Sequence, residues 1–312
     1  MAANVFTELV PEVDRLVASG EFVWVEIHDP DDTLVDRLAE VFSLHPLSVV
    51  DLRQFGQRSR LEHFGDHLGG VFYGAQPDTG APHMLEVHFF ASEHWLVTVH
   101  RDPIPTLHDL RDRVIERGMP DPSMLLYKLF ETLTESFFPA LDRIDDAIDD
   151  VEAAILEGAD QGQVERIIRL RRVLVDLRRV ISPQRDMFTT GGDLLAEIPG
   201  STPNRDEYFR DVRDHLIRVS EVIDAQRDLL AGAMDLYLST VSFRQGEINK
   251  QLTLIATIFL PLTFITGFFG QNFGFMVADL IRGPASFWVF GVGSLVVSGL
   301  GLFWWFRRQG WA

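Results

Sequence analysis

The sequence predicts an α+β domain that leads into a long-helix stalk and two transmembrane helices. Three observations predict it. Residues 251–270, QLTLIATIFLPLTFITGFFG, and 284–306, PASFWVFGVGSLVVSGLGLFWWF, contain no Asp, Glu, Lys or Arg. At about 1.5 Å per residue, each run can cross a hydrocarbon core of roughly 30 Å. Runs rich in Val, Phe and Trp crowd the first 100 residues, whereas from Asp121 onward a 3.6-residue apolar period takes over.

The strand-like runs are FVWVEI at 22–27, LGGVFYG at 68–74, MLEVHFF at 84–90 and HWLVTVH at 94–100, each bounded by Gly, Pro or Asp. They place an α/β domain over residues 1–120. Asp121 and Pro122 form a helix-start signature, and that helix is expected to run past Phe138 into LDRIDDAIDDVEAAILEG. Its apolar seam is Leu141, Ile144, Ile148, Val151 and Ile155. A second helix, QVERIIRLRRVLVDLRRVI, begins after Gly162 and is expected to stop at Pro183, so that 121–204 form an antiparallel hairpin. Between Arg205 and Gly270 the only proline is Pro261, and polar heptad-like sequence runs directly into the apolar span. A continuous helix of that length measures on the order of 100 Å. The expected division is therefore a stalk over 205–250, a first span over 251–270, an external loop over 271–283, a second span over 284–306 and a tail over 307–312.

Charge sets the orientation, because Lys and Arg beside a span are retained on the cytoplasmic side. Arg244 and Lys250 precede the first span, Arg307 and Arg308 follow the second, and the loop between carries only Arg282. Both termini are then expected in the cytoplasm, in an inner or plasma membrane. MAANVFTELVPEVDRL lacks the basic and apolar regions of a secretory signal. A net charge of −18 argues against nucleic acid and favours cations. With no cysteine, thiolate metal sites and disulfide scaffolds are excluded. No GxSxG, HExxH or GxxxxGK[ST] is present, so neither an enzyme nor an ATP-driven pump is expected.

Along the last long helix, Gly246, Asn249, Leu252, Ala256, Leu260, Thr263, Gly267 and Gly270 recur at spacings of 3 and 4. Small, hydroxyl and amide side chains in one stripe allow close helix approach, or line water. Pro261 removes a backbone donor inside the span, which a neighbour or water must compensate. Gly291, Gly293, Ser294, Ser298 and Gly301 form a helix-packing face in the second span. The acidic run from Asp142 to Glu152 reads as a solvated face beside the seam. His63 and His67 have the spacing of a metal pair, but Gly65 and Asp66 between them read as a turn.

The segment Lys250 to Asn272 ends in Gly270-Gln271-Asn272 and resembles the first membrane helix of the CorA superfamily of divalent-cation transporters, with its Gly-Met-Asn signature. The resemblance extends to YFRDVRDHLIRV at 208–219, MDLYLSTVS at 234–242, LRRVLVDLRRVISPQRD at 170–186, HPLSVVDL at 45–52 and LVTVH at 96–100. It implies a funnel-shaped homopentamer embedded in the lipid bilayer, with Gly270, Gln271 and Asn272 forming an outer selectivity ring. Gly246, Asn249, Leu252, Ala256, Leu260, Thr263 and Gly267 then line the path inward. Mg²⁺ is the implied substrate and regulator, with no prosthetic group, and Asp211, Asp235 and Asp78 are the implied regulatory carboxylates. Two residues depart from the family pattern: Gln271 replaces the signature methionine, and Asn249 stands where a bulky apolar gate is usual. A zinc transporter of the ZntB type is the rival within the superfamily. A membrane-anchored metal-sensing regulator or enzyme is the rival from another class.

Overall fold

The computed structural model describes residues 4–78, 81–118, 121–190, 205–271, 273–274, 276–280 and 283–310. They fall into two compact units, Met1–Asp235 and Leu236–Ala312.

The first unit is built on a six-stranded sheet of order β1-β2-β6-β5-β4-β3. The strands are β1 (Val5–Phe6), β2 (Val23–His28), β3 (Arg60–His63), β4 (Leu68–Gln76), β5 (His83–Ala91) and β6 (Trp95–His100). β1, β2 and β6 run parallel, and β6, β5, β4 and β3 pair antiparallel. The four runs read from the sequence are β2, β4, β5 and β6, buried on both faces, which is why they are nearly continuous in Val, Ile and Phe. β1 and β3 are additions; two and four residues are too few for a period to show. At the β3–β4 pairing, a Cβ on Gly70 would lie 2.1 Å from the carbonyl oxygen of Arg60, so the approach requires glycine.

Helices α1 (Pro11–Ser19), α2 (Asp32–Val41) and α3 (Pro46–Arg53) cover one face, where Val13, Leu38 and Leu52 join Val25, Ile27 and Val97 in a buried core. α4 (Pro105–Arg117) and α5 (Pro122–Glu135) lie on the other face. There the Phe130 ring of α5 packs 4.8 Å from that of Phe72 and 4.9 Å from that of Phe89. Between β3 and β4 the chain turns at Gly65, φ 88°. His67 is buried there and His63 exposed, as a turn rather than a metal pair requires.

The single helix expected from Asp121 through Phe138 is two helices, α5 and α6 (Phe138–Glu157). Pro139 offers no N–H, and inside a continuous helix its ring would meet the Glu135 carbonyl. The Ser136 hydroxyl fixes the break to the sheet, donating to the Leu133 carbonyl at 2.6 Å and accepting from the Ala75 amide at 2.8 Å. α6 buries the predicted seam and leaves Asp142, Asp145, Asp146, Asp149 and Asp150 exposed. α7 (Gln161–Thr190) also differs from expectation, because it continues through Pro183. The proline costs one backbone hydrogen bond, at the Arg179 carbonyl. Buried anchors offset it: the Gln184 side-chain oxygen accepts from the Tyr73 amide at 2.6 Å and the Ser59 hydroxyl at 3.2 Å, and Met187 and Phe188 are buried.

Glu86 closes the loop after α3, accepting from the Gly56 amide at 2.5 Å, the Gln57 amide at 3.2 Å and the His88 ring at 2.8 Å. Burial is the largest single influence and opposes ionisation, but the His88 bond and the two amides together hold the carboxyl below the usual glutamate range. A lowered folded value means the stabilisation is fully present above the unfolded value and is lost as pH falls through the folded one. Glu86→Gln is therefore expected to lower stability by about 2 kcal/mol at neutral pH. Thermal melts should show the gap to wild type closing in acid; a gap independent of pH sinks the assignment.

α8 (Arg205–Phe269) is one helix of 65 residues, as its sequence predicts. In the first unit it buries Val212, Leu216, Val219, Ile223 and Leu230, at helical spacing.

The second unit holds the end of α8 and a helical segment Pro284–Arg308, whose stretch Phe287–Val292 is π-helical. No residue is buried in the most apolar 18-residue window of either helix. A core helix of a soluble protein buries such a surface; these two expose it, as spans facing lipid do. At the end of the second span the Arg308 guanidinium lies 5.5 Å from the Trp304 ring, an aromatic–basic pairing suited to a membrane interface.

Candidate functional site

The predicted stripe lies entirely in the second unit, and its described side chains share one property. Asn249, Leu252, Ala256, Leu260 and Thr263 are all exposed, as are Gly246, Gly267, Gly270 and Gln271. Leu260 is 76% exposed, the most of any large apolar residue among the described residues. The second span packs elsewhere on α8. Ile265, Thr266 and Phe269 line a groove of about 310 Å³ with Phe287, Gly291 and Leu295, and Leu262 approaches the position a Cβ on Gly299 would take, at 4.0 Å. At 3.6 residues per turn, these contacts lie roughly 140° around the helix from the centre of the stripe. A Cβ on Gly246 or Gly267 would meet nothing within 4 Å, so packing inside the chain does not require small residues there.

Of the predicted packing face on the second span, Gly291 lies in the groove, whereas a Cβ on Gly301 would meet open space. The hydroxyl of Thr263 donates to the Phe259 carbonyl at 2.8 Å, which leaves its lone pairs facing outward from the helix. Pro261 frees the carbonyl of Thr257 within the same span. α8 ends at Phe269, with the Gly270 amide on the Thr266 carbonyl at 2.9 Å and the Gln271 amide on the Phe268 carbonyl at 3.2 Å. Asn272, the predicted ring residue, and Arg282 lie outside the described residues. Asp279 is exposed.

The predicted regulatory carboxylates belong to the first unit. Asp211, on α8, accepts from the Tyr127 hydroxyl at 3.1 Å, and His215 lies one turn along at 3.9 Å. The same hydroxyl lies 2.5 Å from a Glu131 carboxylate oxygen, so its single proton is shared between Glu131 and Asp211. Burial first, then the Glu131 bond and charge, then Asp211, push the Tyr127 hydroxyl well above the ordinary tyrosine range, so it remains a donor at neutral pH. Arg213 pairs with Asp214, and among the described residues no arginine pairs with Asp211. The Asp211 carboxylate is thus held by a tyrosine hydroxyl. Asp235 is exposed, and Asp78 sits exposed between β4 and β5. Sequence reasoning missed Tyr127 and Glu131, which lie 84 and 80 positions from Asp211. Only their i, i+4 spacing on α5 offered a signal.

Comparisons with known proteins agree with this arrangement. The chain is 35% identical over 265 residues to the cobalt/magnesium transport protein CorA of Thermotoga maritima, covering 81% of this chain and 74% of that protein. It is 26% identical over 239 residues to the zinc transport protein ZntB of Pectobacterium carotovorum, covering 76% and 70%. The complete structure of the CorA magnesium transporter from Methanocaldococcus jannaschii superposes with a TM-score of 0.80 at 24% identity, over 94% of this chain and 92% of that one. The family described as CorA-like Mg²⁺ transporter protein matches residues 19–308. The chain thus belongs to the CorA-like Mg²⁺ transporter family, a family of divalent-cation transporters.

Proposed function

We propose that this chain forms a homopentameric channel that admits Mg²⁺, and with it Co²⁺ and Ni²⁺, into the cytoplasm. The observation that carries this reading is the stripe on α8, exposed along its length and polar or small except at Leu252 and Leu260, on a face the second span leaves bare. Five such faces around an axis enclose a path, with the Gly270-Gln271-Asn272 segment at its outer mouth and both chain termini in the cytoplasm. Mg²⁺ demands octahedral geometry and sheds water reluctantly, so neutral amides that accept hydrogen bonds from its water shell suit it. The membrane potential supplies roughly 2.3 kcal/mol per charge per 100 mV, about 4.6 for a divalent ion. No nucleotide is needed. Internal Mg²⁺ closes the path by bridging Asp211, Asp235 and, more weakly, Asp78 between subunits.

A second reading, Zn²⁺ transport, draws on the similarity to ZntB and on Gln271 in place of the signature methionine. Uptake into liposomes, measured ion by ion with and without a proton gradient, separates the two. Mg²⁺ uptake independent of protons supports the first; proton-dependent Zn²⁺ uptake without Mg²⁺ uptake overturns it.

The inner gate is expected at Leu252 and Leu260, since Gly246 and Asn249 cannot form the apolar constriction that excludes water. Leu252→Asn should raise resting leak about tenfold, one buried apolar side chain being worth about 1.5–3 kcal/mol. Unchanged leak in Leu252→Asn, together with altered conduction in Asn249→Leu, would move the gate to position 249.

A further inference from the structure

Glu26, His100 and His108 converge in the first unit, away from every residue assigned above. Glu26 and His100 stand on adjacent parallel strands, β2 and β6. Their register sets Glu26 opposite Thr98 and His28 opposite His100, so Glu26 and His100 share one face of the sheet. α4 supplies His108 and, three residues on, Arg111. Glu26 Oε1 lies 3.2 Å from His100 Nε2 and 3.5 Å from His108 Nε2, and all three atoms lie within 4.8 Å of one another. Glu26 is 3% exposed, His100 is fully buried, and His108 is 39% exposed on its side chain.

The hydrogen bonds around His100 create a conflict. Its Nδ1 lies 2.7 Å from the Asp102 carbonyl oxygen, which can only accept, so Nδ1 carries a proton. In a neutral imidazole Nε2 is then a bare lone pair, here aimed at a buried carboxylate oxygen. Two acceptors facing each other in a dry site repel, and both lose their solvation. Either a second proton on the ring or a cation between the two atoms resolves it. His108 brings a second imidazole nitrogen to the same oxygen. The other carboxylate oxygen, Oε2, is held by Arg111 at 3.2 Å, which orients Oε1 toward the histidines.

Two imidazoles and one carboxylate make a donor set that zinc adopts, with a fourth position left for water. A ligand histidine typically donates its other N–H to a carbonyl or carboxylate, as His100 does here. With metal–ligand bonds of about 2.0–2.1 Å, tetrahedral ligands sit roughly 3.3 Å apart, and the 3.2 and 3.5 Å separations bracket that value. His108, partly exposed at the surface, has the freedom to close the remaining gap. Mg²⁺ prefers six oxygens and finds only one. Arg111 opposes a further positive charge, so affinity is expected below that of a closed structural zinc site.

We infer that Glu26, His100 and His108 form a binding site for a borderline transition-metal cation, Zn²⁺ foremost, on the sheet of the first unit. It is distinct from the Mg²⁺ path and does not depend on which ion the channel conducts. Bound metal ties β2 and β6 to α4.

The test uses the full-length protein in detergent with saturating Mg²⁺, so that oxygen-rich sites are occupied. ZnCl₂ is titrated by calorimetry, and Co²⁺ absorption reports coordination geometry. One Zn²⁺ per chain is expected to bind despite Mg²⁺, with the intense visible bands of tetrahedral Co²⁺. His108→Ala, a partly exposed position that tolerates truncation, should weaken that binding by at least about tenfold and bleach the bands. His94→Ala, an exposed histidine elsewhere, should change neither. Absence of Mg²⁺-resistant Zn²⁺ binding in the wild type would mean that His100 is simply doubly protonated beside Glu26, and would overturn the inference. Equal Zn²⁺ binding in His108→Ala and Glu26→Gln would overturn it as well, by placing the metal elsewhere.

Discussion

Asn272→Ala is expected to abolish ion-selective uptake while leaving assembly intact. Five amide carbonyls that accept hydrogen bonds from a hydrated ion contribute about 1 kcal/mol each. Their loss is worth at most about three to four orders of magnitude in discrimination, at about 1.4 kcal/mol per tenfold. The substitution removes no charge and shortens a single side chain, so the assembly should elute and melt like wild type. Asn272→Asp is the informative companion: five carboxylates should bind divalent ions tightly and slow their passage. Flux of Mg²⁺, Ca²⁺ and Zn²⁺ into liposomes checks both variants. Wild-type selectivity in Asn272→Ala would remove Asn272 from the ring. The mouth itself offers little electrostatic help, because the loop 271–283 balances Asp279 with Arg282.

How much of this was legible in the sequence depended on range. The length of α8 is local and periodic, so the sequence between Arg205 and Gly270 points to it, whereas the spacing of the stripe leaves helix packing and water lining open and only the fold shows its exposure. The four long strands were equally plain, since burial on both faces makes each a near-continuous apolar run. The break at Ser136 is harder to see in sequence, because its cause lies partly in a contact with Ala75, 61 residues away. In sequence Pro183 reads as a stop because a proline's cost is local, whereas the Gln184 anchors that offset it come from β4 and the segment before β3. Glu26 and His100 were visible as polar residues inside runs that are otherwise apolar, the one warning that these strands carry more than packing. Only the parallel pairing of β2 with β6, together with the docking of α4, shows that they meet with His108. No spacing rule spans 74 residues of intervening chain.

Asp211→Ala is expected to raise, by about tenfold, the internal Mg²⁺ needed to close the channel, since a lost charge-assisted contact is worth about 1.5–3 kcal/mol. Carboxylates gathered at a subunit interface repel, and a bridging divalent ion replaces that repulsion with attraction. Millimolar Mg²⁺ should therefore protect the wild-type stalk from limited proteolysis and fail to protect the variant. The competing role is structural: Asp211 receives the Tyr127 hydroxyl at 3.1 Å and so fastens α5 to α8. Tyr127→Phe separates the two, because it cuts that bond and keeps the carboxylate. If Asp211 bridges metal, Tyr127→Phe retains Mg²⁺ protection, and its freed carboxylate binds at least as well as before. If Asp211 is only an anchor, both variants loosen the stalk alike, with or without Mg²⁺, and flux inhibition stays at the wild-type concentration. That second pattern would end the regulatory assignment of Asp211 and leave Asp235 and Asp78 to be tested alone.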